Sequence, residues 1–139
     1  MYSIYNSIKN NKTHTIAFEP STSNLRVLSR NIFINNLDKK IKIFPIALSK
    51  RENKFLLMKE EQFYEGSALN SFGENYNYQG KKFKSQMQYN TFGTSINYLL
   101  KNNILGIPNY IKIDVDGIEH LILSGADQFL SNKKIISIN

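Results

Sequence analysis

Apolar positions along the chain fall into two periods, and the change from one period to the other marks the elements. Ile4, Tyr5 and Ile8 recur at helical spacing and predict a helix over residues 2–9. HTIAF at residues 14–18 predicts a strand, ended by Glu19-Pro20 because proline cannot donate to a ladder. Ser21 is placed to cap a helix that carries Leu25, Leu28 and Ile32 and runs to about Asn36. IKIFPIAL at residues 41–48 predicts a second strand interrupted at Pro45, and KFLLM at 54–58 a third. Residues 62–82 are rich in Gly, Asn, Ser and Tyr and read as one long loop. A strand at 86–92, a helix from Ser95 through Leu100 and a strand at 110–115 (YIKIDV) follow. Ile118, Leu121, Ile122, Gly125, Ala126, Phe129 and Leu130 then form one continuous helical face, and IISI at 135–138 predicts a last strand. Strand–helix alternation of this kind predicts a single α/β domain over residues 1–139, with a mainly parallel sheet, helices on both faces and a more irregular, antiparallel middle.

Composition narrows the chemistry. With 41% apolar and 21% charged residues the chain has the make-up of a globular domain. Absence of cysteine excludes disulfide staples, thiolate zinc sites and cysteine nucleophiles. No apolar run approaches membrane-spanning length and the N-terminus lacks a signal-type apolar core, so the expected location is cytoplasmic. The net charge of +7 invites a nucleic-acid partner, but 15 of the 18 cations are lysine, scattered along the chain in short pairs. Phosphate recognition favours clustered cations and bidentate arginine, so nucleic acid is not the expected main partner.

Three groups of residues carry candidate chemistry. Glu19 lies at the carboxyl end of a predicted parallel strand, where open α/β sheets bind ligands and where an acidic residue accepts both ribose hydroxyls of a nucleotide. Asp114, Asp116, Glu119 and His120 cluster where a strand hands over to a helix. Asp116-x-x-Glu119 also has the form of a capping box, which is a purely structural use of the same carboxylates. The Asp-x-Asp-Gly sequence is similar to the nucleophile loop of haloacid dehalogenase phosphatases, but too little chain follows for their later motifs. An EF-hand calcium loop needs a longer ligand set. A histidine beside carboxylates suits a general base, with Asp116 and Glu119 as competitors for that role. In the long loop, Tyr64, Phe72, Tyr76 and Tyr78, with Lys81, Lys82 and Lys84 beside them, could stack on a sugar or a base or simply cover core. His14, at a strand start, reads as structural.

Five segments in order resemble the FkbM-type methyltransferases, a branch of the S-adenosylmethionine-dependent Rossmann-like enzymes. They are AFEPSTSNLRVLSRNIFINNL (17–37), IFPIALS (43–49), GSALNSFGE (66–74), TSINYLL (94–100) and YIKIDVDGIEHLILSGA (110–126). The resemblance implies a Rossmann-like sandwich and methyl transfer from S-adenosylmethionine, usually to a hydroxyl of a sugar or natural product; such transfer requires no metal, although Asp114 and Asp116 leave one conceivable. It places Glu19 on the cofactor ribose, Ala47 and Leu48 beside the adenine, and Asp114 near the methionine end and the acceptor. Proton removal would fall to Asp116, Glu119 or His120. Asn97 and Asn139 stand where family members often carry acidic residues. The family's Gly-rich loop and first strand precede the helix at residues 2–9 and have no counterpart here, nor do its closing strands. The expectation is a partial domain, either an enzyme or a catalytically inactive binding module, with RNA methylation as a further alternative.

Overall fold

The computed structural model describes residues 2–77 and 79–139, so Tyr78 lies outside the described residues. Strand β1 (Thr15–Phe18) pairs in parallel with β2 (Ile41–Phe44), and helix α2 (Thr22–Ile34) makes the crossover. Ser21 caps α2 as its sequence suggests, its hydroxyl taking the Asn24 N–H at 3.3 Å. Helix α1 (Tyr2–Lys9) covers this pair, burying Ile4 against Ile32, Leu37 and Ile41, with Ala17, Leu28 and Ile43 packed around them. The face of α1 differs from the predicted stripe: Ile4 and Ser7 are buried, whereas Tyr5 and Ile8 are exposed. The Ser7 hydroxyl reaches Thr15 Oγ1 at 3.1 Å, which secures the polar inward position. The Lys40 ammonium donates to the Ser7 carbonyl at 3.0 Å, a cation at the negative end of the helix.

Pro45 breaks the predicted second strand, and the two halves enter different sheets. Strand β3 (Ala47–Leu48) pairs in parallel with β6 (Met87–Thr94), which runs antiparallel to β4 (Lys54–Glu60). Strand β5 (Asn70–Phe72) completes the order β3-β6-β4-β5. The long loop predicted at 62–82 therefore contains a strand and, beyond it, a bridge between Tyr76 and Lys82. Ala47, Met58 and Phe72 form the core of this sheet, flanked by Leu56 and Tyr89. Gly93 makes the packing possible, because a Cβ there would lie 2.4 Å from the Phe72 ring.

The third sheet is the parallel pair β7 (Tyr110–Ile111) and β8 (Ser137–Ile138). The predicted strand at 110–115 is thus shorter, although Ile113 still donates to the Asn139 carbonyl at 2.8 Å. Helix α3 (Ile96–Lys101) starts from Ser95 as predicted, the serine hydroxyl taking the Tyr98 N–H at 3.0 Å. Helix α4 (Glu119–Ser124) is half the length that the apolar periodicity predicts. Gly125 ends it by packing onto backbone: an added Cβ would meet the Ser49 carbonyl oxygen at 2.2 Å. Turns with i→i−3 bonds follow, and they keep Leu121, Ile122 and Ala126 buried on one face.

The expectation of one mainly parallel Rossmann-like sheet needs correction. Parallel pairing is present in β1–β2, β3–β6 and β7–β8, but the described residues divide into three sheets and the largest is mixed. Two physical features account for this. The seven-position antiparallel ladder of β4 and β6 dominates the middle of the chain. Strands of two residues at β3 and β7 give too little ladder to join the sheets. The mixed α/β class stands.

Candidate active site

The turn after β1 presents Glu19 where the strand gives way to α2. The half-buried carboxylate is fixed locally, Oε1 accepting the Ser21 N–H at 2.9 Å. Oε2 has no hydrogen-bond partner among the described residues. Burial pushes the Glu19 carboxyl above its ordinary range; the Ser21 N–H opposes this, and the charge of Glu60 adds to it.

Glu60 is the partner that sequence reading missed. It closes β4 and is completely buried. Its Oε1 accepts the Tyr89 hydroxyl, and its Oε2 accepts the Ser23 hydroxyl at 3.2 Å. The Tyr89 oxygen in turn accepts the Thr22 N–H at 3.0 Å and lies 3.4 Å from the Pro20 carbonyl. Burial, and after it the bond to Glu60, raise the Tyr89 pKa. The strand period held the signal: Met58 is buried, and two residues on, Glu60 shares its face.

A second tie runs from α2 to the other candidate residues. The Asn24 side chain accepts the Gly66 N–H at 2.9 Å and donates to the Ser67 carbonyl at 3.0 Å. The same loop is held from its other side by Asp116, whose Oδ2 accepts the N–H groups of Leu69 and Asn70. Leu69 has φ +62°, a left-handed conformation that costs a branched residue energy, and Asp116 helps hold it there. The loop at 66–70 therefore links the Glu19 turn to the β7–α4 turn.

The capping box is corrected accordingly. The N-cap of α4 is Ile118, with no side-chain cap bond, because Asp116 is taken by the loop. Glu119 does not complete the box either: its Oε1 accepts from the Gly117 N–H at 3.4 Å instead of from the N–H of the cap residue. Asp114 points to solvent, its side chain 83% exposed and paired with Lys112 at 3.5 Å. His120 is exposed and Glu119 half-buried. Ala47 is 2% exposed and lies in the core with Met58 and Phe72, while Leu48 is half-buried. Of the loop aromatics, Phe72 is core and unavailable for stacking, whereas Tyr64 is exposed. Lys81, Lys82 and Lys84 are exposed around the buried Phe83.

Among the described residues no group of three or more His, Asp or Glu side chains is arranged to hold a metal ion, and no helix is long and apolar enough to cross a membrane. No curated protein sequence and no solved structure gives a significant match. The family model described as the methyltransferase FkbM domain matches residues 1–138. That span contains the Glu19 turn, the loop at 66–70 and the β7–α4 turn together, and the chain belongs to the FkbM methyltransferase domain family.

Proposed function

We propose that the chain transfers a methyl group from S-adenosylmethionine to a hydroxyl oxygen of a sugar or another small natural-product acceptor. The observation that carries this reading is the family match over residues 1–138. The Glu19 turn supports it, because the fit to a nucleoside is chemical. One carboxylate oxygen is oriented by Ser21 and keeps a second lone pair, and the other is uncommitted, so the group can still accept from a ribose diol. When bound, the cofactor supplies an electrophilic methyl group on a cationic sulfur, open to in-line displacement.

The chain's own work is binding, alignment and proton removal. Glu19 holds the ribose. Leu48 and the backbone at Ala47, whose side chain belongs to the core, border the base. Asp114 positions the cofactor or the acceptor. Glu119, His120 and Asp116 are the candidates to take the acceptor proton. Asp116 does so only if its bonds to Leu69 and Asn70 yield, which leaves Glu119 and His120 the less committed pair. That engagement of Asp116 also favours a second reading, a module that binds the cofactor without turnover.

A thermal melt with S-adenosylmethionine tests the first step. Ligand at 100 times its dissociation constant stabilises the folded state by about 2.7 kcal/mol. A raised Tm, followed by transfer of labelled methyl to a sugar or polyol acceptor, supports the enzyme. A raised Tm with no transfer to any hydroxyl acceptor leaves the binding module. A Tm unmoved at millimolar cofactor removes both readings.

A further inference from the structure

We propose that Glu60 and Tyr89 form a positioning pair that holds the Glu19 turn in its binding geometry from a neighbouring sheet. The inference rests on the reading of Glu19 as the ribose-binding residue. A wholly buried carboxylate is an expensive group, and Glu60 has no cation against it among the described residues. Its neighbours are two hydroxyls, those of Tyr89 and Ser23. Packing alone would be served as well by an apolar residue beside Met58. What Glu60 does instead is orient Tyr89, whose oxygen accepts the Thr22 N–H at the first turn of α2. Through Ser23 it also reaches Ser21, the two serine hydroxyls lying 2.9 Å apart. Ser21 is at once the cap of α2 and the N–H donor to Glu19.

Both arms thus converge on residues 20–23, the segment that fixes the direction of the Glu19 carboxylate. The strands that carry them, β4 and β6, belong to a different sheet from β1. Glu60 and Tyr89 act through the turn, and no contact between them and the cofactor is required.

The test is a set of S-adenosylmethionine titrations by calorimetry on the 139-residue chain, with a thermal melt of each variant. Glu19→Ala is expected to weaken binding about tenfold or more, the scale of a lost charged hydrogen bond. Tyr89→Phe is expected to weaken binding by a similar factor in the wild-type background and by less than about twofold on top of Glu19→Ala. Glu60→Leu cuts both arms and should weaken binding at least as much as Tyr89→Phe, and Glu60→Gln should restore affinity to within about threefold, since the amide oxygen still accepts the tyrosine hydroxyl. If Tyr89→Phe fails to melt cooperatively, Ser23→Ala, which cuts only the second arm, is carried through the same cycle. Full additivity with Glu19→Ala, or no loss of affinity in Tyr89→Phe and Ser23→Ala, overturns the positioning role while leaving Glu19 in place. Unchanged binding in Glu19→Ala overturns the reading of Glu19 itself, and the positioning role falls with it.

Discussion

Replacement of Gly125 by alanine puts the junction of α4 with the rest of the chain to a quantitative test. The new Cβ would sit 2.2 Å from the Ser49 carbonyl oxygen, 2.9 Å from the carbonyl carbon and 3.1 Å from the Lys50 Cα. Ordinary contact begins near 3.4 Å, so the first clash is deeper than an ångström. All three atoms are backbone, and none can swing aside as a side chain would. Relief requires α4 to move away from residues 49–50, which strains the Asn97 N–H to Gly125 carbonyl bond of 2.8 Å. Overpacking of this kind costs about 1–3 kcal/mol, with rigid backbone neighbours favouring the upper end. Gly125 has φ −81°, a conformation open to alanine, so a gain of about 0.4–1 kcal/mol from the stiffer unfolded chain offsets part of the loss. The expected net effect is a Tm lower by roughly 5–10 °C, read by circular dichroism. Gly106→Ala is the matched control, since nothing lies within 4 Å of a Cβ there. A Gly125→Ala chain that melts at or above the wild type would refute the close approach of α4 to Ser49.

Three further outcomes are expected. Glu19 has its pKa raised by burial, so its stabilising contribution is complete below the unfolded value of 4.5 and is lost as pH rises through the folded value. Glu19→Gln should therefore gain Tm on the wild type as pH rises from 4 towards 7, and a difference that does not vary with pH counts against the burial argument. Asp116→Ala frees the N–H groups of Leu69 and Asn70 at a cost of about 1–3 kcal/mol. Limited proteolysis should then cut the loop at 66–70 faster, with Asp116→Asn intermediate; equal rates in all three would dismiss the anchor. Ser95→Ala removes the cap of α3 and should lower stability by about 0.5–2 kcal/mol, seen as a lower urea midpoint with unchanged slope.

Legibility in the sequence followed the range of the forces involved. Helix starts at Ser21 and Ser95 were readable because a cap is decided within three residues. The break at Pro45 was readable for the same reason. The length of α4 was not, because Gly125 is set by Ser49, remote in sequence, and periodicity cannot see that contact. The capping alternative for Asp116 fails on contacts that local sequence cannot show, since its partners lie 46 and 47 positions away. Glu60 was within reach: alternation from Met58 predicts an inward carboxylate, yet the apolar run KFLLM drew the strand's end two residues short. Sheet membership was the least legible feature, since β1, β3 and β7 carry similar apolar residues and only tertiary pairing separates them.

The division into three sheets sets a hierarchy of opening. Seven paired positions join β4 to β6, four join β1 to β2 and two join β7 to β8. Amide hydrogen exchange should rank the elements in that order, the two-residue pair exchanging through small local fluctuations and the long ladder only through near-global unfolding. The Glu19 turn belongs by sequence to the intermediate class. Tyr89, seated on the slowest ladder, ties the Thr22 amide to that ladder's lifetime. The Glu19 turn thereby shares in the persistence of the longest ladder, while the segment bearing Asp114 is left free to breathe.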